Sequence, residues 1–175
     1  KQRLVKEGKI KKDKHESVIF RRDNSHYEKL DGIERCIDDE IPFEIPKNWK
    51  WTRFGQVISL LSGTDFKPEE YNDKQQGVPY ITGASSLSEH GVLINRWTEV
   101  PRVIVNRGDV LLVCKGSGYG KTVICDIDEA HIARQIMAIK KMTTLDMPYI
   151  RVFLQANFEQ IKSKGQGVIS GRDRN

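Results

Sequence analysis

The sequence of 175 residues has no apolar run as long as a membrane span. Its first residues are basic and polar, and they lack the apolar stretch of a signal peptide. Since 38% of the residues are hydrophobic and 30% are charged, the composition is ordinary for a globular protein. We therefore expect one domain with a proper core in a cytoplasmic setting.

Cysteine is scarce in this chain. The three cysteines, Cys36, Cys114 and Cys125, lie in stretches with the pattern of strands. No CxxC pair is present, and no histidine stands at the spacing of a zinc site. The sequence predicts buried thiols in a reducing compartment and no metal site.

Motifs of covalent chemistry are absent as well. No Ser-His-acid arrangement stands out, and the four histidines are scattered among segments of different character. Neither the cofactor glycine motif of methyltransferases nor their (Asn/Asp)-Pro-Pro-(Tyr/Phe) motif occurs. We expect a protein that is not an enzyme and needs no cofactor.

The most distinctive stretch is CKGSGYGKT, from Cys114 to Thr122. A phosphate-binding P-loop needs four residues between its glycines, whereas three separate Gly116 from Gly120. The dinucleotide pattern GxGxxG fails as well, because single residues separate the glycines at 116, 118 and 120. Both of these loops also need a helix directly afterwards. Here the next residues, Lys121–Asp128, are rich in β-branched side chains and predict a strand.

The residues before the glycines, Asp109–Cys114, also have the pattern of a strand. Two strands joined by a glycine-rich tip form a hairpin, in which glycine supplies the positive φ angles that other residues avoid. A nucleotide-binding enzyme that uses the glycine loop at 115–122 stays as the weaker alternative.

Charge is unevenly distributed around a net value of +5. Residues 1–14 hold seven basic and two acidic side chains, and residues 15–175 sum to zero. Within that remainder, residues 28–44 carry seven acids against two bases, whereas residues 45–175 carry 18 bases against 13 acids. Such polarity suits one face to phosphates, although a solvated surface of mixed charge is an equal alternative.

The first third of the chain predicts a ribbon and an extended strap. SVIFRR, YEKL and IERCI are short strands separated by turn residues, from Ser17 onward. Ile41–Trp51, IPFEIPKNWKW, holds two prolines and predicts an extended strap that Trp49 and Trp51 pin to a core. Stacking of these tryptophans on bases is the alternative.

The rest predicts strands, polar loops and one helix. Arg53–Leu61 fits a short helix or a strand, and Ala130–Lys140 is equally open. Polar loops span Ser62–Lys74 and Gly83–Gly91, and the spacing of apolar residues predicts an amphipathic helix over Asp146–Lys164. The remaining strands are predicted at Gly77–Thr82, Arg96–Glu99 and Val103–Val105. The fold class is α+β, with mixed, mostly antiparallel strands and a few short helices.

The order of these segments resembles a known family. The segments are KQRLVKEGKIKK, IPFEIPKNWKW, an SGT loop, GVPYITGASSL, RGDVLLVCKGSGYGKTVI and a final helix followed by GQG. Together they resemble a target recognition domain of the specificity (S) subunit of type I restriction-modification systems. The resemblance implies the end of a spacer helix and a linker at 1–16 and the recognition domain at 17–175. The ribbon and strap take up 17–51, and the core takes up 52–175.

The resemblance implies a non-catalytic module that reads double-stranded DNA. In that family, two such domains each read half of a split target, and long spacer helices bind methyltransferase (M) subunits and, through them, the restriction (R) subunit. The complex then methylates or cleaves the DNA. This chain departs from the pattern in having one domain and only the tail of a spacer helix.

We expect the hairpin tip and the neighbouring loops to face DNA, with basic residues on phosphates and polar residues on base edges. The predicted DNA-facing residues are Thr64, Lys67, Thr82, Ser85, Ser86, Lys115, Ser117, Tyr119 and Lys121. The alternative function is a protein-interaction module without DNA affinity, which would use the tryptophan-rich strap or the N-terminal helix.

Overall fold

The computed structural model describes residues 17–116 and 118–164. The predicted helix end and linker at 1–16, the predicted contact residue Ser117 and the GQG sequence at 165–167 lie outside the described residues. Within the described part of the chain, no helix has the length and apolar character needed to cross a membrane.

The chain divides into two compact units, the first ending at Ile58 and the second beginning at Ser59. The sequence places its own division, between strap and core, after residue 51. That division stays a prediction.

The first unit begins with the predicted antiparallel ribbon. Its strands are β1 (Ser17–Arg22), β2 (Ser25–Leu30) and β3 (Ile33–Cys36), in the order β1-β2-β3. Two-residue turns join them, Asp23–Asn24 with φ of 50° and 68°, and Asp31–Gly32 with φ of 52° and 87°. Asn and Gly tolerate such angles, and tight turns of this kind match the twist of a hairpin.

Residues after the ribbon form little regular structure. A 3-10 turn spans Asp38–Glu40, and helix α1 spans Phe54–Val57. Between them, residues 41–53 contain neither helix nor strand. The two prolines in this stretch fix φ and remove N–H donors, which accounts for the irregular backbone.

The two tryptophans of the strap have different surroundings. Trp51 is half-buried, and its ring lies 5.3 Å from that of Phe43. Trp49 is 57% exposed, so the expectation that it pins the strap is wrong. Trp49 ends a turn that begins at Pro46, since the Trp49 N–H donates to the Pro46 carbonyl. This turn directs the Trp49 side chain to solvent.

Two four-stranded sheets and a short hairpin build the second unit. The strands are β4 (Ile58–Ser62), β5 (Val78–Ile81), β6 (Leu87–Ser88), β7 (Gly91–Val92), β8 (Trp97–Thr98), β9 (Ile104–Asn106), β10 (Val110–Val113), β11 (Thr122–Ile124), β12 (Glu129–Ile132) and β13 (Ile136–Lys141). The sheets have the orders β11-β10-β13-β4 and β8-β5-β12-β9, and β6 pairs with β7. Strand β12 runs parallel to β5 and antiparallel to β9. The mixed, mostly antiparallel α+β fold is therefore confirmed.

The sequence is compatible with either a helix or a strand in two segments. Arg53–Leu61 contains both, since α1 leads directly into β4. Ala130–Lys140 contains two strands, β12 and β13, joined by a turn at Ala133–Gln135. Both strands are rich in buried residues, which favours the extended form against the helix.

An aliphatic core fills the second unit. Ile81, Val105, Leu111, Val113 and Ile132 have no exposed surface. They form one continuous cluster that draws on both four-stranded sheets. Because such a core is closely packed, the sheets form a rigid base for the loops that leave their ends.

The predicted long helix is two helices. α2 spans Met147–Ala156 and α3 spans Phe158–Lys164. The Asp146 carboxylate caps α2 by accepting the Tyr149 N–H at 3.1 Å. At Asn157 the side-chain amide donates to the Phe153 carbonyl, a local bond that competes with helix continuation.

The cysteines differ in burial. Cys125 is buried and Cys114 is half-buried, whereas Cys36, at the end of β3, is exposed. The prediction of buried thiols is therefore wrong for Cys36. An edge strand of a three-stranded ribbon covers few of its own side chains.

Candidate nucleic-acid interface

The glycine-rich stretch is the tip of a hairpin. Strands β10 and β11 pair antiparallel, with Leu112 opposite Thr122. Gly116 and Gly120 have φ of 82° and 91°, the left-handed region in which glycine is favoured. Because strand β11 follows the tip, no helix begins directly after the glycines, and the nucleotide-loop alternative loses its physical basis.

One side of this tip is fixed to α3. The Tyr119 ring meets the Phe158 ring edge-on at 5.0 Å, and the Lys162 Nζ lies 5.9 Å from the Tyr119 ring centroid. A Cβ at Gly120 would overlap the Phe158 ring, so only glycine allows this approach. Burial raises the pKa of Tyr119. Tyr119 thus anchors the tip, while Lys115 is exposed.

The other side of the tip lies against the second polar loop. The Lys121 ammonium group donates to the Leu87 carbonyl. A Cβ at Gly118 would overlap that of Ala84, which shows how closely the two segments approach. The structure therefore brings together two loops that are more than thirty residues apart in sequence, as Lys121 and Leu87 are.

Within that second loop, hydroxyl groups stabilise the backbone. Ser86 is 3% exposed, and its Oγ accepts the Thr82 N–H and contacts the Thr82 hydroxyl, both at 3.2 Å. Ser85 is exposed and Thr82 is half-buried. A contact between Ser86 and DNA stays a prediction, and in this structure the Ser86 hydroxyl bonds to Thr82 within the loop.

A buried histidine holds the first polar loop. His131 Nε2 donates to the Thr64 carbonyl at 2.7 Å, and Nδ1 accepts the N–H groups of Val103 and Arg102 at 3.1 and 3.3 Å. These partners require a neutral ring with its proton on Nε2. Burial lowers the pKa of His131, in agreement with that state. The Thr64 side chain itself is exposed.

Lys67 lies in a turn of mixed charge. It precedes a 3-10 turn, Pro68–Glu70, and its N–H donates to the Glu70 carboxylate at 2.9 Å. The same carboxylate pairs with the Arg102 guanidinium group, and the Lys67 side chain is exposed. A contact between Lys67 and DNA stays a prediction.

A turn that the sequence analysis does not predict hydrogen-bonds to the first polar loop, to the hairpin tip and to the strand end before the second polar loop. At Ala133–Gln135, the Ala133 N–H donates at 2.9 Å to the carbonyl of Ile81, the last residue of β5, just before the second loop. The Gln135 carbonyl accepts the Cys114 N–H of the hairpin tip at 2.8 Å. The Arg134 N–H donates to the Asp65 carboxylate of the first loop at 3.0 Å.

Of the predicted contacts, Thr64, Thr82, Ser85, Ser86, Lys115, Tyr119 and Lys121 lie on the loops that meet at this turn. The turn adds Arg134 and Gln135, both exposed. The sequence held one signal for them, a pair of polar residues that interrupts the apolar pattern of Ala130–Lys140. A prediction of one element over Ala130–Lys140 leaves no place for a turn at this pair.

The arrangement of these loops suits binding. Among residues 17–116 and 118–164, no group of three or more His, Cys, Asp or Glu side chains is placed to hold a metal ion. The exposed groups that converge include hydroxyls, an amide and cations, which proteins use on phosphates and base edges, together with the Asp65 carboxylate that pairs with Arg134.

Comparison with known proteins finds the same fold and related sequences. No protein-family model matches the chain. The chain is 33% identical over 103 residues to the specificity subunit of the type I restriction enzyme EcoAI of Escherichia coli, covering 59% of this chain and 14% of the relative. It is 31% identical over 137 residues to the EcoEI specificity subunit of the same organism, covering 74% of this chain and 20% of the relative.

Solved structures agree on the fold. The HsdS subunit from Thermoanaerobacter tengcongensis superposes with a TM-score of 0.63 at 20% identity, over 74% of this chain and 32% of that one. A chain from a structure on complex assembly and conformational transition of the type I R-M system gives a TM-score of 0.61 at 21% identity, over 69% and 31%. The chain spans about a fifth or less of the sequence relatives. By sequence and fold, it belongs to the family of type I restriction enzyme specificity subunits.

Proposed function

We propose that this chain recognises double-stranded DNA as part of a type I restriction-modification complex, in which partner subunits methylate and cleave. The observation that carries the proposal is the convergence of three polar loops on the turn Ala133–Gln135. The names of the related specificity subunits support it. The chain itself supplies contacts and has no catalytic role.

Physical chemistry assigns two roles to the converging residues. Lys115 and Arg134 are exposed cations and bind phosphates or guanine edges, whereas Thr64, Ser85 and Gln135 offer hydrogen-bonding groups for bases. At the tip, the exposed Gly116 allows the backbone to approach the duplex closely. The rigid sheets behind these loops hold them in register.

The proposed partners are M subunits and, through them, the R subunit, in the cytoplasm. The described residues assign no surface to these proteins. A membrane has no part in the proposal.

The test is the salt dependence of duplex binding by the natural protein at its full length. Lys115→Ala should weaken binding on all sequences and reduce the slope of log affinity against log salt by about 1, since one phosphate contact is lost. Lys141→Ala is the matched control, because Lys141 is an exposed lysine at the far end of β13 from the turn. Equal slopes in both variants and the wild type would contradict this interface.

The rival function, protein binding without DNA affinity, has one observation in its favour. Ile33, Phe43 and Trp49 of the first unit are 73%, 63% and 57% exposed. If the full-length protein with its M subunits fails to bind any duplex at low salt, this function replaces the proposed one.

A further inference from the structure

We propose that Arg134 and Gln135 read base edges of DNA, and that Asp65 is a positioning residue for the Arg134 guanidinium group. The inference rests on the proposed function, and it assigns sequence discrimination to one turn. Three features carry it: the rigidity of the turn, the geometry of Arg134 and the position of Gln135.

Rigidity comes from the backbone. The turn bonds to Ile81, Cys114 and Asp65, which belong to three different segments. A reading element that is already ordered loses little conformational entropy on binding, so its contacts contribute more to discrimination. The three neighbouring segments add the exposed side chains of Thr64, Ser85 and Lys115.

The Arg134 side chain is presented rather than buried. It is 71% exposed, and its Nε pairs with Asp65 Oδ2 at 2.6 Å, while Asp65 Oδ1 accepts the Arg134 N–H at 3.0 Å. Both carboxylate oxygens therefore hold the same residue. Among the described residues, none hydrogen-bonds to Nη1 or Nη2 of Arg134. An exposed pair of this kind adds little stability, so its main effect is to orient the guanidinium group.

The Gln135 side chain lies between two loops. Its Oε1 would be 2.8 Å from a Cβ added at Gly83 and 3.8 Å from one added at Gly116. Only the first of these distances is too short for a side chain, so glycine at position 83 leaves room for the Gln135 amide, which lies within contact distance of the hairpin tip at Gly116. The amide forms no hydrogen bond with any residue that the structure describes. Its donor and acceptor remain open to a ligand.

These two side chains match the major groove. An arginine fork binds guanine O6 and N7, and a glutamine amide binds adenine N6 and N7. Lysine or serine contacts to phosphates would set the position of the turn without reading sequence. We therefore expect Arg134 to prefer a G·C pair and Gln135 an adjacent A·T pair.

The chain offers a matched control for Arg134. Arg107 is 60% exposed, and its Nε pairs with Asp128 Oδ1 at 2.8 Å, the same type of contact. Arg107 precedes β10 and Asp128 precedes β12, whereas the tip and the turn follow these strands. The control pair thus lies at the opposite ends of the same two strands.

The experiment begins with selection of bound duplexes from a random library by the natural full-length protein with its M subunits. If no duplex is retained, the proposed function fails before this inference is reached. If duplexes are retained, each base pair of the selected sequence is then changed in turn, and affinities are measured for wild type and variants.

Arg134→Ala should lose about 10-fold in preference at one base pair and leave the other pairs unchanged. Arg134→Lys should lose the same preference while keeping the salt slope, because lysine keeps the charge but not the fork. Gln135→Ala should relax a different pair, and Arg107→Ala none. Uniform weakening on every sequence by Arg134→Ala, with rescue by Arg134→Lys, overturns the inference and makes Arg134 a phosphate contact.

Asp65 is tested by its effect on the same base pair. Asp65→Ala should reduce the preference at the pair that Arg134 reads and leave the salt slope unchanged. Asp65→Asn, which keeps an acceptor for the Arg134 N–H, should restore part of it. If Asp65→Ala instead relaxes all pairs equally, Asp65 supports only the fold of the loop, and the positioning role is excluded.

Discussion

At the centre of residues 17–58 lies a carboxylate, whereas the centre of residues 59–164 is a set of aliphatic side chains. In the first unit, Glu28 is 2% exposed and accepts hydrogen bonds from Ser17, Arg35 and Arg53. Glu40 pairs with both of these arginines as well. The second unit has at its core residues such as Leu111 and Ile132 with no exposed surface.

The difference shows how two small units reach order by different forces. A three-stranded ribbon has too few residues to bury much apolar surface, so hydrogen-bonded ion pairs fix its geometry. They also account for part of the acidic stretch 28–44, because Glu34 and Glu44 pair with Arg22 and Arg21. The second unit buries enough apolar surface to hold exposed, charged loops in place.

The largest effect is expected in the aliphatic core. Leu111→Ala removes a fully buried side chain from β10 and leaves a cavity, so the free energy of unfolding should fall by about 3–4 kcal/mol. Hydrogen exchange should show the loss in the amides of β10 and β13. If β1 and β2 lose protection as strongly as these strands, the two units do not have separate cores.

The next effect concerns the carboxylate of the first unit. Glu28→Gln removes the buried charge that Arg35 and Arg53 share and leaves them only Glu40, so protection of the ribbon amides should fall by about 2–3 kcal/mol. Glu34→Gln is the control, since the Arg22–Glu34 pair is exposed at 50% and 38% and should contribute much less. Equal losses in both variants would mean that burial of Glu28 adds nothing.

The same carboxylate gives a pH test. Hydrogen bonds from Arg53 first and then Ser17 hold the pKa of Glu28 well below its ordinary value of 4.5. Its contribution to stability is therefore present above pH 4.5 and is lost as the pH falls further. The difference between wild type and Glu28→Gln should narrow in acid, and a constant difference would contradict the ion-pair account.

Glycines sharpen the comparison between the units. Gly120→Ala places a methyl group against the Phe158 ring at a φ of 91°, and we expect a loss of about 2 kcal/mol in the free energy of unfolding. Gly32→Ala has almost the same φ, 87°, with open space around it, so it should cost about 1 kcal/mol. Denaturant titration of both variants measures the difference, and similar costs would show that α3 does not restrain the tip.

The smallest effect is a pH dependence of the second unit. Burial lowers the pKa of His131 from 6.5, so its contribution is present above pH 6.5 and is lost as the pH falls below it. The free energy of unfolding should decrease between about pH 7 and about pH 5, and decrease less in His131→Gln. Denaturant titrations at a series of pH values test this, and the same decrease in both proteins would place the titration elsewhere.

Much of the fold could be predicted because its signals are local. Short runs with β-branched and aromatic residues predict β1 and β5, and turn residues such as Asp31 and Gly32 divide the ribbon into strands. The break at Asn157 was missed, because a single polar residue within an apolar period does not distinguish one helix from two. Whether the predicted DNA contacts bind DNA stays a prediction.

By itself, the sequence determined that the glycine stretch joins two strands, because β-branched residues on both sides disfavour the helix that a nucleotide loop needs. Only the tertiary structure decided which polar groups remain open. Tyr119, Lys121 and Ser86 are engaged by Phe158, Leu87 and Thr82, and Arg134 and Gln135 emerge where three loops meet. These contacts join residues far apart in the chain or depend on loop geometry, so no local pattern records them.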